Sequence, residues 1–340
     1  MLDKQNGVMS EVVKQIAVNL WKGLGLSHIS MPAKIFEPKS SINRMCDLWT
    51  YAPKYLRAAA DTNDSLERLK YVIAFAMSSV YICCSQSKPF NPILGETNQG
   101  HFHDGSQYYC EHTSHHPPIS HFLLEDVQGK YKMYGYYEVC GKVQGATKNN
   151  LVTGLRGPNT IRFSDGQVIR FGFPNFRIGG LIYGERSIEP FGCQTFEDLT
   201  NNIKCVININ TYKKGGYFGS DPTGFKDAYE GIIYHTKNQL NGNMDSIKKN
   251  YGKDMDIIES LGPIKKEIKS EIGQVEGRFL SHCIIDNKKY WDINEDPPVR
   301  QIPNTDASVL ASDWRFREDL LWLSFKEVLI AHQWKVRLEV

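Results

Sequence analysis

Apolar residues in the first quarter of the chain recur at helical intervals. Val12, Val13, Ile16, Ala17, Leu20, Trp21 and Leu24 fall on one side of a 3.6-residue period, with Lys14, Asn19 and Lys22 elsewhere. This predicts an amphipathic helix over 11–24, ended by Gly23 and Gly25. Met31–Ala60 reads as a proline-punctuated connector with a further helix around Ser40–Arg57. Asp64-Ser-Leu-Glu67 has the form of a capping box, with Asp64 as the N-cap. It opens a predicted helix to about Gln86, apolar on most faces and therefore buried. Its most apolar run, Tyr71–Cys84, falls well short of the roughly 20 residues that a membrane span requires.

After Thr97 the period changes. From His101 to His235 the pattern is one of many short strands. Lys130–Val139 is rich in aromatic residues, partly alternating and marked by Gly135. Ile161–Phe163, Val168–Phe171, Leu181–Glu185, Gln194–Leu199, Lys204–Asn210 and Tyr229–His235 are further candidates. Turns are signalled by Pro158-Asn159, Asp165-Gly166, Gly179-Gly180 and Gly215-Gly216. Strands without intervening helices imply an antiparallel barrel or a sandwich, and the residues alone leave both open. The region 238–275 is polar and predicts loops and short helices. Glu276–Asp286 predicts a late strand, Trp291–Thr305 a proline-rich connector, and Arg315–Glu339 a final helix.

The pattern divides the chain into an N-terminal amphipathic segment (1–30), a helical region (31–100), a β core (101–240) and a C-terminal subdomain (241–340), all within one module. Its 340 residues suffice for a sizeable core. The formal net charge of +2 gives no sign of a nucleic-acid binder acting through bulk electrostatics. The eight cysteines are scattered with no C-x-x-C pair, and the opening residues lack the pattern of a secretory signal. Together these indicate reduced thiols in a cytoplasmic setting.

Candidate chemistry is concentrated in one stretch. Six of the ten histidines lie between His101 and His121, with Cys110 among them. His101 and His103 would share one face of a strand, so a zinc-dependent hydrolase is one reading. No H-E-x-x-H motif and no completing C-x-x-C are present, however. No G-x-S-x-G, G-x-G-x-x-G or Walker A pattern is present. The other reading is anion binding. Lys88 precedes Pro89 and Asn91 precedes Pro92, which stiffens the segment. A lysine, an asparagine and imidazoles poised near neutral pH are suited to a phosphate. In a straight strand His115 and His116 would point to opposite faces, so both reach one ligand only if the chain bends between them.

Three blocks carry a resemblance to a known family. Glu111-His-Thr-Ser-His-His-Pro-Pro118 resembles the signature octapeptide of the oxysterol-binding protein-related lipid-transfer proteins. Lys88-Pro-Phe-Asn-Pro-Ile-Leu-Gly-Glu96 resembles that family's other landmark. Ser312-Asp-Trp-Arg-Phe-Arg-Glu-Asp-Leu320 resembles its arginine-rich lead-in to a C-terminal helix. The blocks stand in the family's order and span most of the chain.

The resemblance implies an α+β, mainly β fold: a large incomplete antiparallel barrel around a lipid tunnel, with an N-terminal lid and helices and a C-terminal helical subdomain. It assigns Lys88, Asn91, His115 and His116, with Lys335 and Glu339 of the last helix, to the headgroup of phosphatidylinositol 4-phosphate. The family's next arginine would fall just past Val340, implying a shortened helix or weaker headgroup binding. Val13, Ile16, Leu20, Trp21 and Leu24 would form the lid.

The implied function is non-enzymatic, with no cofactor, no metal and no catalytic residue: extraction of one lipid and exchange of the phosphoinositide for a sterol. Phosphatidylserine is the second candidate cargo, and sensing without transfer is a further alternative. The expected partners are lipids and, transiently, organelle membrane surfaces. No nucleic-acid partner is expected, and the protein is expected to be monomeric.

Overall fold

The computed structural model describes residues 36–85, 87–144, 149–180, 187–209, 227–240 and 266–303. Three helices open the described region: α1 (Ser41–Asp47), α2 (Ala52–Asp61) and α3 (Ser65–Ser79). Ser40 caps α1, and the side chain of Asn43 returns a bond to its backbone. The single helix expected around Ser40–Arg57 is thus two, with Pro53 in the first turn of α2, where its missing N–H costs nothing. Asp64 caps α3 as expected, accepting from Leu66 N at 2.9 Å and Glu67 N at 3.2 Å. Glu67 does not complete the capping box. Its carboxylate accepts instead from Lys288 at 2.8 Å and Tyr290 at 2.7 Å. The helix ends before Gln86, tightening into a 3₁₀ turn over Val80–Cys84. Its unbroken apolar sequence is explained by burial of every residue from Val72 to Ser79.

The described residues hold seventeen strands: β1 (Phe36–Ser40), β2 (Lys88–Phe90), β3 (Thr97–His101), β4 (Gln107–His115), β5 (Pro118–Glu125), β6 (Tyr131–Gln144), β7 (Asn150–Arg156), β8 (Asn159–Phe163), β9 (Val168–Phe171), β10 (Asn175–Gly179), β11 (Ser187–Asp198), β12 (Ile203–Ile209), β13 (Ala228–Thr236), β14 (Ile268–Arg278), β15 (His282–Ile285), β16 (Lys288–Asp292) and β17 (Ile302–Pro303). β1 and β2 form a small parallel pair. The other 15 make one antiparallel sheet, running from β16 through β11, β6 and β4 to β17. The sheet curls into a large ring that is not closed as a true barrel, since its edge strands β16 and β17 do not meet. This is the incomplete antiparallel ring with N-terminal helices that the family resemblance implied.

Between β6 and β11 the sheet forks. β6 pairs with β8 over Tyr131–Gly135 and with β7 from Glu138 onward. β11 pairs with β10 over its first half and with β9 over Phe196–Asp198. Glycines make the fork possible. A Cβ at Gly135 would collide with the Pro158 carbonyl and one at Gly157 with the Tyr136 carbonyl, and Gly157 has φ +125°.

Several differences from the sequence reading arise in the second half. Residues 268–275 form β14, not loop or helix, and β14 pairs with β13 across the intervening segment. The single late strand over Glu276–Asp286 is the end of β14 plus β15, divided by a turn at Phe279–Ser281. Trp291 belongs to β16, and Ile302–Pro303 pairs with β3. Alternation failed to signal these strands because β14 is largely exposed on both faces. The expected strand Leu181–Glu185, the turn Gly215-Gly216, the helix over 11–24 and the helix Arg315–Glu339 lie outside the described residues.

Helices and sheet share one apolar cluster. Trp49, Tyr51, Tyr55 and Phe75 from the helical region pack with Phe122, Phe171 and Trp291 from the strands. The Tyr81 ring stacks on Trp291 at 6.1 Å, and Trp49 lies 5.0 Å from Phe122. Among the described residues, no helix is long and apolar enough to cross a membrane. All eight cysteines are free thiols. Cys83 and Cys84 pack at the cluster's margin, where burial pushes the Cys84 thiol up to about 12.

Candidate functional site: a histidine hairpin and a tethered proline loop

The β4–β5 hairpin carries the octapeptide. β4 alternates strictly at first, with Tyr108, Cys110 and His112 buried and Tyr109, Glu111 and Thr113 exposed. The register then shifts between His112 and Ser114. His115 ends the strand and pairs with Pro118, while His116 and Pro117 form the turn and are joined by a cis peptide bond. The bend required for both histidines to face one ligand is therefore the step from strand to turn. Their ring centroids lie 5.0 Å apart, tilted by 68°.

Beneath them lies His112, 1% exposed. Its Nδ1 is 3.0 Å from Ser120 Oγ, and its Nε2 is 3.1 Å from His115 Nδ1. Burial, with the neighbouring His115 adding to it, lowers the His112 pKa from the usual imidazole value. No other hydrogen bond from a described residue reaches the side chain of His115 or His116.

The proline-rich block is fastened to the same strand. Lys88 starts β2, with its ammonium 4.9 Å from the Phe36 ring, which stacks on Phe90. Lys88 Nζ donates to Asn91 Oδ1 at 2.8 Å and to the Pro89 carbonyl at 3.3 Å. The chain then reverses at Gly95, whose φ of +79° suits only glycine without strain. Gly95 N donates to the His112 carbonyl at 2.8 Å, and His112 N donates to the Glu96 carbonyl at 2.9 Å. Thr97 pairs with Glu111 directly beyond. Lys88 and Asn91 thus sit on a loop whose far end is pinned to the backbone of His112, three residues from His115. Ile93 and Leu94 stand exposed at its tip.

The structure brings Lys88 together with Asn91, and His115 together with His116, on two segments tied at His112. Lys335, Glu339 and the lid residues Val13, Ile16, Leu20, Trp21 and Leu24 lie outside the described residues. The histidine-rich stretch does not form one cluster. β3 ends at His101 and His103 lies in the following turn, so the shared strand face expected for that pair is not made. His121 lies on the exposed face, with Nδ1 2.7 Å from Thr113 Oγ1 and its ring against Tyr136. Cys110 points inward, its Sγ 3.3 Å from Cys46 Sγ. Among the described residues, no three His, Cys, Asp or Glu side chains are grouped to hold a metal ion.

Two functional candidates escaped the sequence reading. His112 was legible in principle, because alternation from Tyr108 places it inward. Gln194 of β11 had no sequence signal. It is 1% exposed, and neither atom of its side-chain amide has a hydrogen-bond partner among the described residues. It lies across from Ile207 and two residues from Phe196, so it faces the apolar interior.

Comparison with known proteins places the fold and the family. The model of the oxysterol-binding protein family matches residues 16–340. Oxysterol-binding protein 9 of Dictyostelium discoideum is 32% identical, over 99% of this chain and 74% of its own length. Oxysterol-binding protein-related protein 3 of Mus musculus is 39% identical over 58% of this chain, which corresponds to 23% of that much longer protein. Among solved structures, the Osh3 ORD from Saccharomyces cerevisiae, in complex with PI(4)P, matches with a TM-score of 0.68 at 22% identity, over 96% of this chain and 82% of that one. The Osh1 ORD domain in complex with ergosterol matches with a TM-score of 0.58 at 22% identity, over 81% and 56% of the two chains. At such identities the solved structures speak for the fold. With the family model matched over nearly its whole length, the chain belongs to the oxysterol-binding protein family.

Proposed function

We propose that this protein binds single lipids and transfers them between membranes, exchanging phosphatidylinositol 4-phosphate for a sterol. The observation that carries the reading is the tether between the two motif blocks. A loop bearing Lys88 and Asn91 is pinned at His112 to the hairpin that ends in His115 and His116. A phosphomonoester carries about −1.5 to −2 charges near neutral pH and needs donors from several segments. Here a lysine, an amide and two imidazoles are supplied by two tethered ones. Lys335 and Glu339, four residues apart on the expected last helix, would complete the site.

The apolar half of the cargo needs a dry enclosure, because each methylene taken from water is worth about 0.8 kcal/mol. The curled sheet, with its interior of aromatic and branched side chains, is suited to that role, and the segment around Val13–Leu24 is suited to cover it. Gln194 favours a second cargo with a polar end. Its unpaired amide in an apolar interior matches a lone lipid hydroxyl, as on a sterol, and relatives solved with ergosterol and cholesterol are consistent with this. Phosphatidylserine remains the competing cargo.

No bond is made or broken in such exchange, so the protein is read as a carrier and not an enzyme. It would work as one module and a monomer in the cytoplasm, touching organelle membranes peripherally and transiently. The test is extraction from liposomes carrying labelled phosphatidylinositol 4-phosphate, with sterol and phosphatidylserine as separate competitors, followed by transfer between two liposome populations. Extraction relieved by sterol, with net transfer, supports the proposal. Failure to extract the phosphoinositide overturns it, and binding without transfer would make the protein a sensor.

A further inference from the structure

We propose that His112 is a positioning residue for phosphate recognition: held by Ser120, it orients the ring of His115 so that His115 Nε2–H is presented as a donor to the anion. The proposal rests on the reading of His115 as a headgroup residue.

Residues 112 and 115 are three apart, and in a regular strand they would face opposite sides. The register shift between His112 and Ser114 inserts one extra residue and returns His115 to the buried side. Thr113 is left on the outer face, bonded to His121. His112 and Ser120 are cross-strand partners, 1% and 9% exposed. The result is a chain of contacts: Ser120 Oγ to His112 Nδ1 at 3.0 Å, and His112 Nε2 to His115 Nδ1 at 3.1 Å. The two rings stand nearly perpendicular, at 87°. The His112 N–H and C=O are both held by the Gly95–Glu96 segment. The middle ring therefore has little freedom, and it passes that constraint to His115.

A neutral imidazole has one donor and one acceptor. If Ser120 donates to His112 Nδ1, His112 donates from Nε2 to His115 Nδ1, and the remaining His115 nitrogen carries a proton. If His115 is charged, it donates from Nδ1 to His112 Nε2, and His112 donates from Nδ1 to Ser120. In both arrangements His115 Nε2–H faces outward. Only neutral His115 donating from Nδ1 would turn a lone pair toward the phosphate, and an anion disfavours that arrangement. Burial, with the neighbouring His115 adding to it, lowers the His112 pKa, which disfavours charge on the buried middle ring.

Three variants test this: His112→Phe removes the relay but keeps a buried ring, His112→Gln restores a donor and an acceptor, and Ser120→Ala releases the far end. Affinity is read with water-soluble short-chain phosphatidylinositol 4-phosphate. His112→Phe is expected to weaken binding about tenfold, the loss of one oriented charge-assisted hydrogen bond. Sterol binding should be unchanged, His112→Gln should recover most of the loss, and Ser120→Ala should fall between.

Histidine-selective ¹⁵N NMR of the free protein provides an independent readout of the tautomers, and it needs no variant to fold. Single, linked tautomers at His112 and His115 support the relay; averaged tautomers at both rings overturn it. Wild-type affinity in His112→Phe also overturns the positioning role. If the unmodified protein binds no phosphoinositide, the headgroup reading falls instead, while the NMR result still decides the relay.

Discussion

Two buried polar arrangements in the same sheet differ in a way that separates scaffold from site. Arg170 on β9 and Glu197 on β11 are cross-strand partners whose side chains are each only 3% exposed. The guanidinium meets the carboxylate through Nε at 3.1 Å and Nη2 at 2.6 Å, and Lys204 approaches Glu197 at 3.9 Å before reaching Glu267. Each charge there faces an opposite charge, with Arg170 and Glu197 both buried. At the β4–β5 hairpin, Ser120, His112 and His115 form a line instead, and the line stops at the surface with His116 beside it. Polar side chains thus brace the sheet where opposite charges pair, and the proposed recognition site is where the series ends on imidazoles without such a counter-charge among the described residues.

The contrast is tested most severely at the closed network. Glu197→Leu removes the carboxylate that faces the buried Arg170, while Lys204 keeps Glu267, and should cost about 3–5 kcal/mol of unfolding free energy, measured by chemical denaturation. A loss below about 1 kcal/mol, as for an exposed pair, would erase the distinction. At the open end the expectation is reversed. His115→Ala with His116→Ala removes only the outer partner of His112 and should cost no more than about 1–3 kcal/mol, less than the buried ion pair. It should also reduce phosphoinositide extraction from liposomes at least tenfold and leave sterol extraction intact. Equal loss of both lipids in a folded variant would contradict the headgroup role.

Gln194 is an intermediate case, buried but unpaired. Gln194→Leu should stabilise the protein by about 1–3 kcal/mol, since an unsatisfied amide is removed, and should weaken sterol binding. Unchanged sterol affinity would argue that its partner is not the lipid hydroxyl. The smallest effect is a pH dependence. His112 has a lowered folded-state pKa, first through burial and then through His115. Its contribution to stability is therefore complete above the unfolded imidazole value of about 6.5 and is lost as pH falls below it. Melting temperature followed from pH 7.5 downward should decline more in the wild type than in His112→Phe. Parallel declines would remove His112 as the source.

Much of this was legible in the sequence. The capping residue Asp64, the buried helix after it, the strand Val168–Phe171 and the two motif blocks all lie where local signals placed them. Each depends on neighbours within a few residues, where periodicity and capping act. The relay through His112 was not legible, because it depends on a register shift, and two facing strands must be paired before an extra residue in one has any consequence. Nor did composition indicate that the six histidines would scatter between two faces and a turn. β14 showed no alternation because neither of its faces is well buried.

The sequence by itself determined the class of fold, the order of its elements and the pairing of a proline-stiffened lysine loop with a histidine signature. Residue type and spacing suffice for the helices and the antiparallel strands, while the ring and the pairing of the two blocks came from the family resemblance. Only the tertiary structure decided that the loop and the hairpin are one unit, joined at His112, and that a buried glutamine stands unpaired in the interior. Both rest on contacts between strands distant in sequence, whose geometry is set by how the whole sheet forks, curls and stops short of closing.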